Sequence, residues 1–175
     1  MMLWRAMIVW LLLALPAAAQ PQPSGPQVLI IDSERLFFET EYGRRISADL
    51  AEKTAALQSE NDAIVAQLTE EERSLTQRRA TMDADVFRDE AAAFDIRVQE
   101  VRRDREAKTV ELQAEATRAR AAFEERVQAI VANIMIERGA AMVLEQRNVI
   151  LSVRAANITD DAVARIDAEL GDGAE

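Results

Sequence analysis

The longest regular pattern of the chain lies between residues 44 and 138, where neither glycine nor proline occurs. Because glycine and proline are the strongest breakers of helices, their absence over ninety-five residues predicts helix. Apolar residues recur there at spacings of three, four and seven. They are Leu50, Leu57, Ile64, Leu68, Leu75 and Met82 in the first half, and Phe94, Val98, Val101, Leu112, Ala116, Ala119, Phe123, Val127, Ile130 and Ile134 in the second. This a/d spacing predicts coiled-coil helices.

The pattern has interruptions that bear on its shape. Thr54, Asn61 and Glu71 break the apolar seam of the first half. The pattern is weakest around residues 80–87, where Thr81 and Asp83 are candidate N-caps of a second helix. One straight helix would span roughly 140 Å at about 1.5 Å per residue. A hairpin of two antiparallel arms with its tip near 80–87 is therefore favoured over a continuous rod whose seam stutters.

The first nineteen residues have the layout of a secretory signal peptide. Arg5 precedes an apolar run, and small residues follow it. Because this run is shorter than the ~20 residues of a membrane-spanning helix, cleavage before Gln20 is favoured over an uncleaved anchor. Residues 20–27 contain three prolines and are predicted to be a disordered lead-in.

Short elements are predicted before the arms. The apolar, β-branched run 28–32 is typical of a buried strand. Ser33 is the predicted cap of a short helix that Gly43 ends.

Short elements are also predicted after the arms. Two further strands are expected at residues 140–144 and 149–153, followed by a last helix with Thr159 as its N-cap and Gly171 at its end. Asn157 lies in a glycosylation sequon, but its position just before a helix cap accounts for the segment without glycosylation.

Residues 28–43 and 139–171 together predict a small body of three strands and two helices from which the arms project. About fifty residues are too few for an independently stable core. Oligomerisation through the body, with strands of neighbouring copies covering one another's edges, is the expected remedy. The predicted fold class is α+β, mostly α, with long antiparallel coiled-coil hairpin arms on a small β-containing trimerisation body.

Composition excludes most chemistry. The chain has no histidine and no cysteine, and thus no ordinary general base, thiol nucleophile or zinc site, and it has no glycine-rich phosphate loop. Carboxylate runs such as 70–72 and 124–125 point in different directions on a helix and indicate solvated charge rather than metal ligands. The formal net charge of −10 argues against nucleic acid as a partner. We predict no enzyme and no cofactor.

The order of these elements resembles the Skp (OmpH) family. The segments that carry the resemblance in sequence are Met142-Val143-Leu144, Val149-Ile150-Leu151 and Asn157-Ile158-Thr159-Asp160-Asp161. The resemblance implies a periplasmic, ATP-independent holdase of Gram-negative bacteria. Family members are jellyfish-like homotrimers whose bodies join and whose three arms enclose a cavity for unfolded outer-membrane proteins.

The resemblance turns patterns into candidate sites. Client contacts are expected at Met82, Phe87, Phe94, Val98, Val101 and Phe123, although packing within the seam explains the same residues. Oligomerisation contacts are expected at Val28, Ile30, Met142, Val143, Leu144 and Ile150. The tight basic group Arg102, Arg103 and Arg105 is the candidate contact to anionic lipid at a membrane surface, with a solvated, ion-paired helix face as the favoured alternative. A structural coiled coil that spaces or tethers envelope components is the alternative function.

Overall fold

The structure, a computed structural model, describes residues 28–174. The predicted signal peptide and lead-in lie outside the described residues. The elements in chain order are β1 (Val28–Ile31), α1 (Ser33–Glu39), α2 (Glu41–Arg78), α3 (Ala84–Glu137), β2 (Met142–Glu145) and α4 (Thr159–Leu170), with single 3-10 turns at Gln146–Asn148 and Arg154–Ala156. The predicted class, mostly helical with a small strand component, is confirmed.

The two long helices form a hairpin. Helix α2 ends at Arg78 and α3 begins at Ala84, so the continuous rod is wrong. Asp83 caps α3, because its side chain accepts hydrogen bonds from the backbone amides of Asp85, at 2.9 Å, and Val86, at 3.4 Å. A short polar turn with its own cap is therefore what reverses the chain at the tip.

The hydrophobic core lies at the root of the hairpin, where all the short elements meet it. Its members are Leu29 and Ile31 of β1, Leu36 and Phe37 of α1, Tyr42 and Ile46 of α2, Phe123, Val127, Ile130 and Ile134 of α3, and Ile158, Ala162 and Ile166 around α4. The last third of α3 thus belongs to the body and not to the free arm. The estimate of a fifty-residue core was too small, because the roots of both long helices complete it.

The sheet has two parallel strands. Val28 pairs with Met142 and Ile31 with Glu145. On its other edge β1 makes a single bridge at Ile30, whose carbonyl accepts from the amide of Ile158 at 2.9 Å. β1 is therefore central, whereas β2 has no partner on its outer edge within residues 28–174.

The third predicted strand, 149–153, is wrong for the single chain. The segment is extended, with φ and ψ of −113° and 121° at Val149 and of −79° and 146° at Val153. It pairs with no strand of residues 28–174, and Ile150 and Leu151 are 96% and 90% exposed. Both edges of β1 are already occupied, and the segment does not pair with the open outer edge of β2 either.

The cap of α1 also differs from the prediction. Asp32, not Ser33, is the N-cap, and its carboxylate accepts from the amides of Glu34 and Arg35, both at 3.1 Å. The Ser33 hydroxyl instead donates to the Glu145 carboxylate at 2.6 Å. Ser33 thereby fastens the start of α1 to the end of β2.

Gly43 does not end α1, because α1 ends at Glu39 and Gly43 lies inside α2. The buried Thr40 makes the break: its hydroxyl donates to the carbonyl of Leu36 at 2.7 Å and accepts from the amide of Gly43 at 3.2 Å. A Cβ on Gly43 would overlap the backbone carbonyl of Phe37. Glycine is needed here for close approach of two helices rather than for a turn.

Thr159 is the first residue of α4 and not its cap. Its side-chain oxygen accepts from the amide of Asp32 at 3.0 Å, which ties α4 to the start of α1. Asn157 performs the local capping, because its side-chain oxygen accepts from the Thr159 amide at 2.9 Å while its amide group donates to Gln146 at 2.8 Å. The sequon asparagine is therefore fully engaged in the fold. Gly171 follows the last residue of α4, as predicted.

Candidate functional site

Four ion pairs cross between the two helices of the arm at matched intervals. They are Lys53–Glu115, Glu60–Lys108, Glu71–Arg97 and Arg78–Glu90. Along α2 the steps are seven, eleven and seven residues, and along α3 the same steps run in the opposite direction. All eight side chains keep some contact with solvent, so each pair contributes modestly to stability. Together they mark a single antiparallel register.

The same charges oppose a slipped register. A slip of seven residues in one direction would bring Lys53 to Lys108 and Glu71 to Glu90. A slip of seven residues in the other direction would bring Glu60 to Glu115 and Arg78 to Arg97. Like charges at facing positions of a coiled coil are unfavourable. The arm therefore selects its register by repulsion as well as by attraction.

The interval of eleven residues coincides with a stutter in the apolar seam. Ile64 and Leu68, which are four residues apart, lie within it, and a four-residue insertion into a heptad pattern locally unwinds a coiled coil. The side-chain oxygen of Asn61 is buried there without a hydrogen-bond partner. Glu71 lies within ion-pair distance of Arg97, at 2.8 Å, but without hydrogen-bond geometry. The inside of the arm is thus partly polar near its middle.

The predicted client contacts divide into two groups. Met82, Phe87, Phe94, Val98 and Val101 lie half-buried along the outer half of the arm. Phe123 is buried in the body core, edge-on to Phe37 with ring centroids 5.1 Å apart. The first five are partly open to solvent, whereas Phe123 has no free surface to offer a partner.

Other apolar side chains of the arm are more exposed than those predicted. Val65, Val86, Ile96 and Val110 are each about half exposed. None of them belongs to the a/d pattern, so a search for the seam passes over them. Such residues can be found in the sequence as apolar side chains of the arm that lie outside the a/d positions.

The arginine group does not form one basic surface. Arg102 and Arg105 line the same groove of the arm as Glu72 and Asp95, whereas Arg103 is not part of that lining. The groove therefore carries as many carboxylates as guanidinium groups. A groove of balanced charge attracts anionic lipid only weakly, and the lipid contact stays a prediction.

The body exposes a second apolar surface. Met142 and Leu144 of β2 are exposed, and so are Ile150, Leu151 and Val153 of the unpaired segment that follows. We call these five residues the body patch. The other predicted oligomerisation residues are less accessible: Val28 and Val143 are half-buried and Ile30 is 4% exposed.

Ion pairs fasten α4 to its neighbours. Arg165 donates to Glu137 of α3 at 2.8 Å, which lowers the pKa of Glu137 and raises that of Arg165. Arg35 of α1 bonds both Glu39 and Asp160, and its hydrogen bond lowers the pKa of the Glu39 carboxyl. These exposed pairs orient α4 across the roots of α1 and α3.

Within residues 28–174, no cluster of histidine, cysteine, aspartate and glutamate has the arrangement of a metal site. None of the helices in that range has both the length and the apolar character that crossing a bilayer requires. Apolar side chains are exposed along the sides of the arm and in the body patch.

These features define a class: a small α+β body that carries one long α-helical hairpin and leaves apolar residues exposed on both. A profile of the family described as "Outer membrane protein (OmpH-like)" matches residues 27–166. The chain belongs to this family.

A solved structure supports the same fold. It is a crystal structure of a candidate outer membrane chaperone (OmpH-like) from Caulobacter crescentus, 21% identical in sequence. The match has a TM-score of 0.79 and covers 86% of this chain and 89% of that one. No protein of curated description matches the sequence significantly.

Proposed function

We propose that the protein is an ATP-independent holdase chaperone of the periplasm that binds unfolded outer-membrane proteins between its arms and keeps them from aggregating. The observation that carries this proposal is the arm itself. Its charges set the register, its interior is partly polar, and it exposes apolar side chains to solvent.

The arm surface suits weak contact with many partners. Val65, Val86, Ile96 and Val110 are scattered singly among charged residues rather than gathered into a patch. Such side chains offer an unfolded chain several small apolar contacts, each worth at most ~1–2 kcal/mol when fully covered. A client held in this way stays soluble and can still leave.

The working unit that we propose is a homotrimer joined through the bodies. The outer edge of β2 and the extended segment 149–153 both lack a strand partner within the described chain. The outer edge of β2 in one copy can pair with segment 149–153 of a neighbouring copy, and this pairing would cover the body patch. The number three comes from the family resemblance. Export by a cleaved signal peptide is part of the same proposal.

The alternative is a structural coiled coil that spaces or tethers envelope components. An arm of about 55 Å, from the length of α2 at about 1.5 Å per residue, suits that role too. The two functions differ in whether unfolded clients bind along the arm. Variants with a shortened arm and an unchanged body can therefore distinguish them.

The ion pairs show how to shorten the arm in register. Removal of 72–78 and 90–96 places Glu71 and Arg97 where Arg78 and Glu90 now stand, with the native turn retained. A longer removal, of 61–78 and 90–107, places Glu60 and Lys108 there instead and shortens the arm by about 27 Å.

The assay is light scattering during refolding of an aggregation-prone outer-membrane barrel. We expect suppression of scattering to fall with each shortening, while the sedimentation mass shows an unchanged number of copies. Full protection by the shorter variant would contradict client binding along the arm. If the intact protein protects none of several barrels at low salt, the spacer becomes the better account.

A second variant tests the exposed residues without changing arm length. Replacing Val65, Val86, Ile96 and Val110 by serine should weaken protection, because each change removes an exposed apolar contact. Ile136 is an exposed residue of α3 near the end of the helix that lies in the body, and its serine variant is the matched control. Equal protection by both variants would count against the proposed contact surface.

A further inference from the structure

The C-terminal tail, residues 171–174, folds back from the end of α4. Gly171 and Gly173 have φ of 53° and 71°, a region that glycine adopts without strain. Between them the Asp172 carboxylate accepts a hydrogen bond from the Ala174 amide at 2.9 Å. The Gly-Asp-Gly sequence is therefore a structured reversal of the chain and not a frayed end.

This reversal brings two backbone carbonyls to arginines from both helices of the arm. Nε of Arg45, on α2, donates to the Asp172 carbonyl at 2.6 Å. Nη1 of Arg126, on α3, donates to the Gly173 carbonyl at 3.2 Å. Both guanidinium groups also lie over the ring of Tyr42, 5.5 and 5.2 Å from its centroid. The tail, α2 and α3 thus meet around one aromatic ring.

The Tyr42 ring leaves room only for glycine at position 173. Tyr42 is buried, and a Cβ at position 173 would overlap three atoms of its ring. Only a glycine lets the tail backbone come this close. The site consequently combines a surface that accepts glycine with two charged donors for the carbonyls on either side of the contact.

We propose that Tyr42, Arg45 and Arg126 form an intramolecular peptide-binding site for the chain's own C-terminal tail, and that the docked tail clamps α2 to α3 at the root of the arm. The need for a clamp follows from the topology. Helix α3 runs unbroken into the core and buries four apolar residues there, whereas α2 starts after the extended residue Thr40 and buries only the side chains of Tyr42 and Ile46.

The test compares three variants of the purified protein. Gly173→Val adds bulk against the ring and should expel the tail. Ala174→Val adds bulk one position later, where the chain is exposed, and is the matched control. A chain ending at Leu170 lacks the tail altogether.

Two measurements read the clamp separately. Tyr42 is the sole tyrosine, so ring-labelled tyrosine gives a single set of NMR signals that report tail docking. Hydrogen exchange of the amides of residues 44–50 reports opening of α2 at the root.

We expect Gly173→Val and the shortened chain to shift the Tyr42 signals alike. Both should speed exchange at residues 44–50 on the order of tenfold, the effect of losing one or two hydrogen bonds. Exchange at the tip of the arm should not change, and Ala174→Val should behave as the parent in both measurements. Unchanged exchange at the root in the shortened chain would overturn the proposal, and so would Tyr42 signals that Gly173→Val leaves in place.

Discussion

The body patch gives a sharp prediction, because it separates folding of one copy from association of several. Ile150 is 96% exposed in the single chain, so replacing it by aspartate removes no contact within the copy. Surface changes of this kind usually alter the free energy of unfolding by no more than about 0.5 kcal/mol. The isolated copy of Ile150→Asp should therefore fold normally.

Association should respond very differently. Covering an isoleucine side chain at an interface contributes about 1.5–3 kcal/mol, and covering an unpaired carboxylate costs at least a few kcal/mol more. The change is thus roughly 3–5 kcal/mol for each copy, and every 1.4 kcal/mol is a factor of about ten in an association constant. We expect an assembly that is stable at micromolar concentration to fall apart into folded single copies.

Sedimentation velocity gives the mass and far-ultraviolet circular dichroism gives the helix content. Ile96→Asp is the matched control, because it makes the same substitution at an exposed position of the arm, away from the body. Substitution of the buried Ile30 would be a poor choice, since a carboxylate there would unfold the copy itself. If Ile150→Asp keeps the mass of the parent protein, the body patch is not the interface.

Three further predictions concern stability. Gly43→Ala places a Cβ against the backbone of α1, and we expect urea unfolding to show a loss of roughly 1–3 kcal/mol. Glu60→Lys should lower the melting temperature at low salt by placing two cations together, and the added change Lys108→Glu should restore it; failure of that rescue would contradict the paired register. The pKa of Glu137 is lowered below its ordinary 4.5 by Arg165, so its contribution is complete above that pH and is lost as the pH falls through the lowered value. Melting temperatures from pH 6 to pH 3 should therefore fall less steeply in Glu137→Gln than in the parent.

The parts of the fold that depend on local signals could be predicted from the sequence. The long stretch free of glycine and proline defined the arms, and Asp83 followed by Asp85 marked the start of α3. The ion pairs left a signal as well, because the oppositely charged residues of the two halves match in pairs when they are counted outward from residue 84. That signal needs a tip position before it can be seen.

The parts that depend on distant neighbours could not be predicted. Residues 149–153 have the composition of a strand, but a strand also needs a partner, and this segment pairs with neither strand of its own chain. Gly43 looked like a helix end, since nothing nearby reveals the carbonyl packed against it. Gly171 marked the end of α4, but nothing near it in the sequence reveals that Gly173 packs against Tyr42, which lies about 130 positions earlier.

The strand pairing sets the order in which the molecule can be built. Val28 pairs with Met142, 114 positions later, so closing that loop in an unstructured chain costs ~4 kcal/mol in entropy. The hairpin forms from neighbouring segments and brings its two ends together before any strand pairs. Because the chain is synthesised from its N-terminus, the apolar strand β1 therefore stays unpaired until nearly the whole protein has been made. A protein that we propose protects others from aggregation thus passes through a stage of the same risk, and the speed with which its arm folds determines how long that stage lasts.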